Sequence, residues 1–164
     1  MSKILVLYYS FEGSTKKIAE IIAKNIDAKL EEVKPVNELK SKGFSKFIWG
    51  GSQVIIGKKP KLLPIGVNLD DYDTILIGSP IWAGTFAPPI KTLLEGDIIK
   101  GKRIGYFYCH KGGDEKAVQK AKESIIKNNI FLGAIGCKNV TKNLQSLEAE
   151  VIEWAKGIKY ITGQ

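Results

Sequence analysis

Apolar positions along this chain alternate between two rhythms. Ile4 to Tyr9 is a continuous apolar run rich in β-forming residues. From Thr15 the pattern changes: Ile18, Ala19, Ile22, Ala23 and Ile26 recur at the spacing of one helix face, which ends near Asn25 to Asp27. Lys29 to Val33 alternates like a short strand, and Thr74 to Gly78 and Arg103 to Cys109 read as buried strands. Pro88-Pro89 suits the first turn of a helix running to about Glu95. Asp114 stands where it caps a helix through about Asn128, with Ala117, Val118, Ala121, Ile125 and Ile126 on the inner face. Phe131 to Cys137 is the last strand. Leu144 to about Tyr160 is the last helix, turning Leu147, Val151, Trp154, Ala155 and Ile158 inward.

Five apolar strands separated by helices predict an α/β domain. Its sheet is doubly wound and mostly parallel, with helices on both faces and right-handed crossovers. One connection is unusually long. Between Pro35 and Pro64 the chain holds Phe44, Phe47, Ile48, Trp49, Val54, Ile55 and Ile56 around Gly50-Gly51. A structureless loop of that length is uncommon in a compact domain, so Lys42 to about Ile56 reads as an interrupted amphipathic helix. The turn Gly57-Lys58-Lys59-Pro60 follows it, and the aromatics are read as packing.

The 164 residues suit one domain, 1–164, able to bury about two-thirds of its unfolded surface. With 44% hydrophobic and 26% charged residues, the composition is that of an ordinary globular protein. No apolar run approaches the roughly 20 residues of a membrane span, and Met1 to Leu7 lacks the features of a signal peptide. The expectation is a cytoplasmic protein with no membrane partner. Cys109 and Cys137 have no C-x-x-C spacing and read as buried, reduced thiols. A single histidine, His110, leaves little room for a zinc site or a Ser-His-Asp triad. The net charge of +8 comes from lysines spread through the chain, so it reads as a solvated surface and predicts no specific nucleic-acid site.

Three loops fall at the carboxyl ends of the predicted strands, where open α/β sheets bind ligands. The first is Ser10-Phe11-Glu12-Gly13-Ser14-Thr15. It offers hydroxyls and, around Gly13, exposed amides at a helix N-terminus, but no Lys or Arg. A plain Ser/Thr cap needs only one hydroxyl; a phosphate site uses several. Neither G-x-x-x-x-G-K-[ST] nor G-x-G-x-x-G occurs here, which weakens nucleoside triphosphate and dinucleotide readings. The second loop, Gly78-Ser79-Pro80-Ile81-Trp82-Ala83-Gly84-Thr85-Phe86-Ala87-Pro88-Pro89, sets Trp82 either as structural packing or as an aromatic wall for a ligand. The third, Tyr108-Cys109-His110-Lys111-Gly112-Gly113-Asp114, lets a flat ligand edge approach the backbone. His110 is either an exposed loop residue or a hydrogen-bond donor. A phosphate pocket, an aromatic wall and a backbone slot together suit FMN better than ATP or NAD.

At these loops the chain resembles the flavodoxin-fold FMN proteins, particularly the short flavodoxin-like ones. The first loop is similar to the family's phosphate loop, except that Glu12 stands where a second Thr is common. An acid there is expected to point outward and leave its amide to the phosphate. Ser79 to Gly84 resembles the loop flanking the isoalloxazine, and Cys109 to Gly113 the loop at its polar edge. The resemblance implies strand order 2-1-3-4-5 and a non-covalent FMN redox protein. It also implies that Trp82 and low polarity lower the flavin potential, and that a carbonyl near Gly84 or Gly113 accepts a flavin proton.

An electron carrier is the leading expectation, acting alone or as a homodimer. Its charge is unusual, since flavodoxins are typically acidic; a +8 surface suits acidic redox partner proteins. The alternative is an NAD(P)H-dependent FMN or quinone reductase in which Lys58, Lys59 and Lys61 attract the nicotinamide cofactor. A signalling receiver domain fits poorly, because the first strand ends in Tyr8-Tyr9-Ser10 and the third in Gly78-Ser79 rather than in acids.

Overall fold

The computed structural model describes residues 3–38 and 59–163. The expected helix at 42–56 and the turn at 57–60 therefore fall wholly or largely outside the described residues. Among the described residues six strands and four α-helices follow one another as β1 (Lys3–Tyr8), α1 (Ser14–Ile26), β2 (Lys29–Glu32), β3 (Tyr72–Trp82), β4 (Thr85–Phe86), α2 (Pro88–Glu95), β5 (Arg103–His110), α3 (Glu115–Ile126), β6 (Ile130–Lys138) and α4 (Val140–Ile161). A 3₁₀ turn, Leu69–Asp71, leads into β3.

Strands β2, β1, β3, β5 and β6 lie side by side in that order, all parallel. Numbering only these five gives the expected order 2-1-3-4-5. The short β4 pairs antiparallel with the end of β3. Because strand side chains alternate between faces, β1 divides its residues between two cores. Leu5, Leu7 and Tyr9 join Ile90, Leu93, Ala121 and Ile125 from α2 and α3. Ile4, Val6 and Tyr8 join Ile18, Ile22, Leu147, Val151 and Ile158 from α1 and α4. Burying both faces is why the central strands read as unbroken apolar runs.

The helices show where periodicity predicts well and where it slips. Ile18, Ala19, Ile22, Ala23 and Ile26 of α1 are all buried. On α3, however, Ser124 turns inward and Ile126 is 53% exposed, so the inward face is rotated from the expected one. Trp154 on α4 is half-buried rather than fully inward. The helix begins earlier than expected, at Val140, with a break at Asn143 (φ −118°, ψ 15°). At the long crossover, Val36 N–H donates to the Lys61 carbonyl and Leu63 N–H to the Lys34 carbonyl, both at 2.8 Å, pinning its two flanks together.

Some glycines are fixed by packing. A Cβ on Gly78 would lie 2.2 Å from the Phe107 ring, and one on Gly105 would meet Leu76 at 2.6 Å and Ile158 at 2.7 Å. Both positions sit mid-strand where neighbouring side chains cross the sheet surface. No described helix is long and apolar enough to cross a membrane.

Candidate functional site

The strand order reverses direction on either side of β1, so the carboxyl ends of β1 and β3 open a crevice between their following loops. The first loop turns from β1 into α1 through Gly13, whose φ of +97° a side chain rarely tolerates. Gly13 N–H donates to Ser10 Oγ at 3.2 Å. The first helical bond of α1 is Lys17 N–H to the Gly13 carbonyl at 3.1 Å, and no side chain caps the helix. The amides of Ser14, Thr15 and Lys16 thus form the donor end of the helix dipole. Thr15 is 1% exposed, Ser10, Phe11, Gly13 and Ser14 are half-buried, and Glu12 is exposed, as an acid beside an anion site would need to be.

The second loop is different from its sequence reading. Pro80, Ile81 and Trp82 continue β3, and Ile81 pairs with Phe86 and Trp82 with Thr85 across a two-residue turn. Ala83 and Gly84 make that turn with φ of +46° and +74°. Both values are positive, which matches the twist of a tight hairpin. Trp82 is therefore a strand residue in a hairpin, not a loop residue. The pairing with β4 is the reason. Trp82 is 8% exposed and takes the rings of Tyr9 and Phe11 edge-on, with centroids 5.6 Å and 5.9 Å away. Of the three rings Phe11 is the most exposed, so the aromatic wall is a cluster rather than one open indole face.

Ser79 locks this hairpin from below. Its hydroxyl accepts from Ala87 N–H at 2.9 Å and donates to the Pro80 carbonyl at 2.8 Å. The fully buried Tyr106 hydroxyl has no hydrogen-bond partner among the described residues, and burial pushes its phenol well above the ordinary value.

In the third loop Gly112 and Gly113 are exposed, with φ of +143° and +67°, and open space surrounds both as it does Gly84. Cys109 is 7% exposed. Asp114 occupies the capping position of α3 but makes no side-chain cap bond. Its carboxylate instead accepts from Tyr108 Oη at 2.7 Å and lies 3.6 Å from His110 Nδ1. The Tyr108 bond holds the Asp114 carboxyl below the usual range, and burial followed by that same bond raises the Tyr108 phenol. His110 is thus no free loop histidine: only 8% of its side chain is exposed.

The three loops meet. Phe11 touches Trp82, and Pro80 is the register partner of Cys109 on β5. Tyr9 N–H donates to the Gly78 carbonyl at 3.0 Å, tying the first loop to the second. Tyr9, Ser79, Tyr106, Tyr108 and Asp114 support this edge; the sequence placed Ser79, Tyr108 and Asp114 in the second and third loops, and Tyr106 only in a strand. An aromatic or hydroxyl at a strand's carboxyl end was their available signal. Among the described residues no group of three or more His, Cys, Asp or Glu could hold a metal.

Residues 3–157 match the flavodoxin family. The chain belongs to that family. A flavodoxin-like domain-containing protein, BilS, of Clostridioides difficile (strain CD3) is 27% identical over 169 residues, covering 99% of this chain and 81% of the relative. An NAD(P)H dehydrogenase (quinone) of Sinorhizobium fredii (strain NBRC 101917 / NGR234) is 33% identical over 110 residues, covering 64% of this chain and 53% of the relative. Among solved structures, a flavoprotein from Lactobacillus acidophilus NCFM in complex with FMN superposes with a TM-score of 0.69 at 30% identity. That alignment covers 87% of this flavodoxin and 98% of the other chain.

Proposed function

We propose that this flavodoxin is a non-covalent FMN protein that carries electrons between partner proteins. The cofactor is FMN. The observation that carries this reading is the donor end of α1, built from neutral groups and set beside the Tyr9–Phe11–Trp82 cluster. The fit is chemical as well as spatial. A monophosphate is satisfied by Ser10, Ser14, Thr15 and the first-turn amides without a cation in the loop. Phe11 and Trp82 supply apolar surface for a flat ring, and the open space over Gly84, Gly112 and Gly113 leaves room for its edge. Bound FMN supplies reversible electron transfer. The protein's part is to hold the phosphate, exclude water from the ring and position backbone polar groups at the third loop. The +8 charge supports acidic partners.

A second reading is an NAD(P)H-dependent quinone reductase, supported by the name of the Sinorhizobium relative. Of the lysines assigned to that role, Lys58 lies outside the described residues and Lys59 pairs with Glu95 at 3.4 Å. Lys61 is exposed. Steady-state oxidation of NADH and NADPH with a quinone acceptor separates the two. The carrier reading expects negligible turnover with either nucleotide, whereas rapid turnover establishes the reductase. An absorption spectrum lacking flavin bands after reconstitution with FMN would defeat both.

A further inference from the structure

Tyr9 stands one residue past β1, between the first loop and the hairpin, and is held at both ends. Its N–H donates to the Gly78 carbonyl at 3.0 Å, and its hydroxyl donates to Glu38 Oε1 at 2.9 Å. Burial, and after it the Glu38 bond, hold the Tyr9 phenol above its ordinary value, so the hydroxyl keeps its proton and the carboxylate is the acceptor. The Tyr9 ring meets Trp82 edge-on, with 5.6 Å between centroids and 88° between planes. Glu38 lies outside the three loops, at the start of the long crossover. The backbone leading to it is pinned: Pro35 bridges Leu62, and Val36 N–H donates to the Lys61 carbonyl at 2.8 Å. Val33, Leu62 and Ile65 pack in the core that holds Tyr9 and Trp82. Glu38 itself is exposed, so its side chain loses rotamer freedom to reach Tyr9. A charge-assisted bond to a buried phenol offsets that loss.

We propose that Glu38 is a positioning residue for the ring side of the flavin site, acting through Tyr9 on Trp82. This rests on the FMN reading above. With Glu38 in place, Tyr9 is fixed at its backbone and at its hydroxyl, and Trp82 keeps its edge contact. Without it, a phenol on a residue only 2% exposed loses its acceptor, and the ring shifts to regain a partner at the expense of the Trp82 contact. The donors of the first loop do not depend on that hydroxyl: Gly13 N–H bonds Ser10, and the first-turn amides belong to α1. The effect is therefore selective. The crossover residue sets affinity for the flavin ring, while α1 sets affinity for its phosphate. Glutamine at position 38 keeps an acceptor oxygen and removes only the charge.

The test titrates the full chain with FMN and with riboflavin, which lacks the phosphate, in wild type, Glu38→Ala, Glu38→Gln, Tyr9→Phe and the Glu38→Ala/Tyr9→Phe double variant. Near-ultraviolet circular dichroism of each apoprotein reads the aromatic cluster, and urea unfolding confirms that each variant folds. Glu38→Ala should weaken both flavins alike, by roughly fivefold, the scale of one lost edge-to-face pair. Tyr9→Phe should lose as much, and the double variant no more than either single one, because both changes break the same bond. Glu38→Gln should stay within about twofold of wild type. Unchanged riboflavin affinity in Glu38→Ala, additive losses in the double variant, or a glutamine variant as weak as the alanine one overturns the proposal. Wild-type protein that binds neither flavin overturns the functional reading instead. The apoprotein dichroism then decides the positioning: Glu38→Ala must change the aromatic bands and Glu38→Gln preserve them, and identical bands in all three overturn it.

Discussion

The loop after β1 and the hairpin that ends β3 lie side by side, joined by the Tyr9 N–H to Gly78 carbonyl bond, yet they satisfy their backbones in opposite ways. In the hairpin, Ser79 uses its hydroxyl twice, and Trp82 and Ile81 pair with β4. The first loop directs its donors outward: Gly13 bonds Ser10, but the first-turn amides of α1 carry no side-chain cap. The hairpin is therefore complete without a ligand, whereas the first loop, on the reading proposed above, is finished by an anion. That reading concentrates stability in one and binding in the other.

Four substitutions sharpen that contrast, and the largest strikes the junction. Gly78→Ala drives a methyl into the buried Phe107 ring, 2.2 Å from the new Cβ. Unfolding free energy should drop by about 3 kcal/mol, read from the urea midpoint, with both loops disturbed. Gly13→Glu should separate the loops. The added carboxylate faces the phosphate across about 5 Å, worth about 3 kcal/mol at an intermediate dielectric, so FMN binding weakens roughly hundredfold. Folding should lose only about 1 kcal/mol, from the positive φ. A large loss of stability with unchanged FMN affinity would reverse the roles assigned here.

Ser79→Ala does the opposite. It leaves the Ala87 N–H buried without its acceptor, costing about 2 kcal/mol of stability, while the ratio of FMN to riboflavin affinity stays as in wild type. The smallest effect lies in the third loop. The Asp114 carboxyl is held below its ordinary value of 3.8 by Tyr108, so its contribution is complete above about pH 4. It is lost as pH falls through the lower folded value, because the unfolded chain binds the proton first. Asp114→Asn should flatten that acid limb and cost about 1 kcal/mol at neutral pH, checked by urea unfolding across the acid range.

The parts of the molecule that periodicity dictates were legible from the chain. All five predicted inward residues of α1 are buried, because one helix face decides their fate. The five parallel strands were equally readable, while their order came from the family resemblance. The hairpin was not. Pro80, Ala83 and Gly84 look like loop residues, and the turn places Ala83 at a positive φ that alanine does not advertise. Asp114 was read as a helix cap because the local rule favours it there. A tyrosine six residues earlier, at the end of β5, competes for its carboxylate and wins. The first loop's donors were visible because glycine and hydroxyls at a strand-to-helix turn carry a local signal. Its tie to the second loop was hidden, since the Gly78 carbonyl that accepts from Tyr9 N–H arrives from a strand distant in sequence.

The central claim is that the neutral donor end of α1 binds the phosphate of FMN. Titrating the reduced apoprotein with FMN and with riboflavin, followed by flavin fluorescence, tests it most directly. FMN should bind at least roughly a hundredfold tighter than riboflavin, the worth of two charge-assisted hydrogen bonds or more. Gly13→Glu should erase that preference. Equal affinity for the two flavins, or a preference that survives Gly13→Glu, would contradict it.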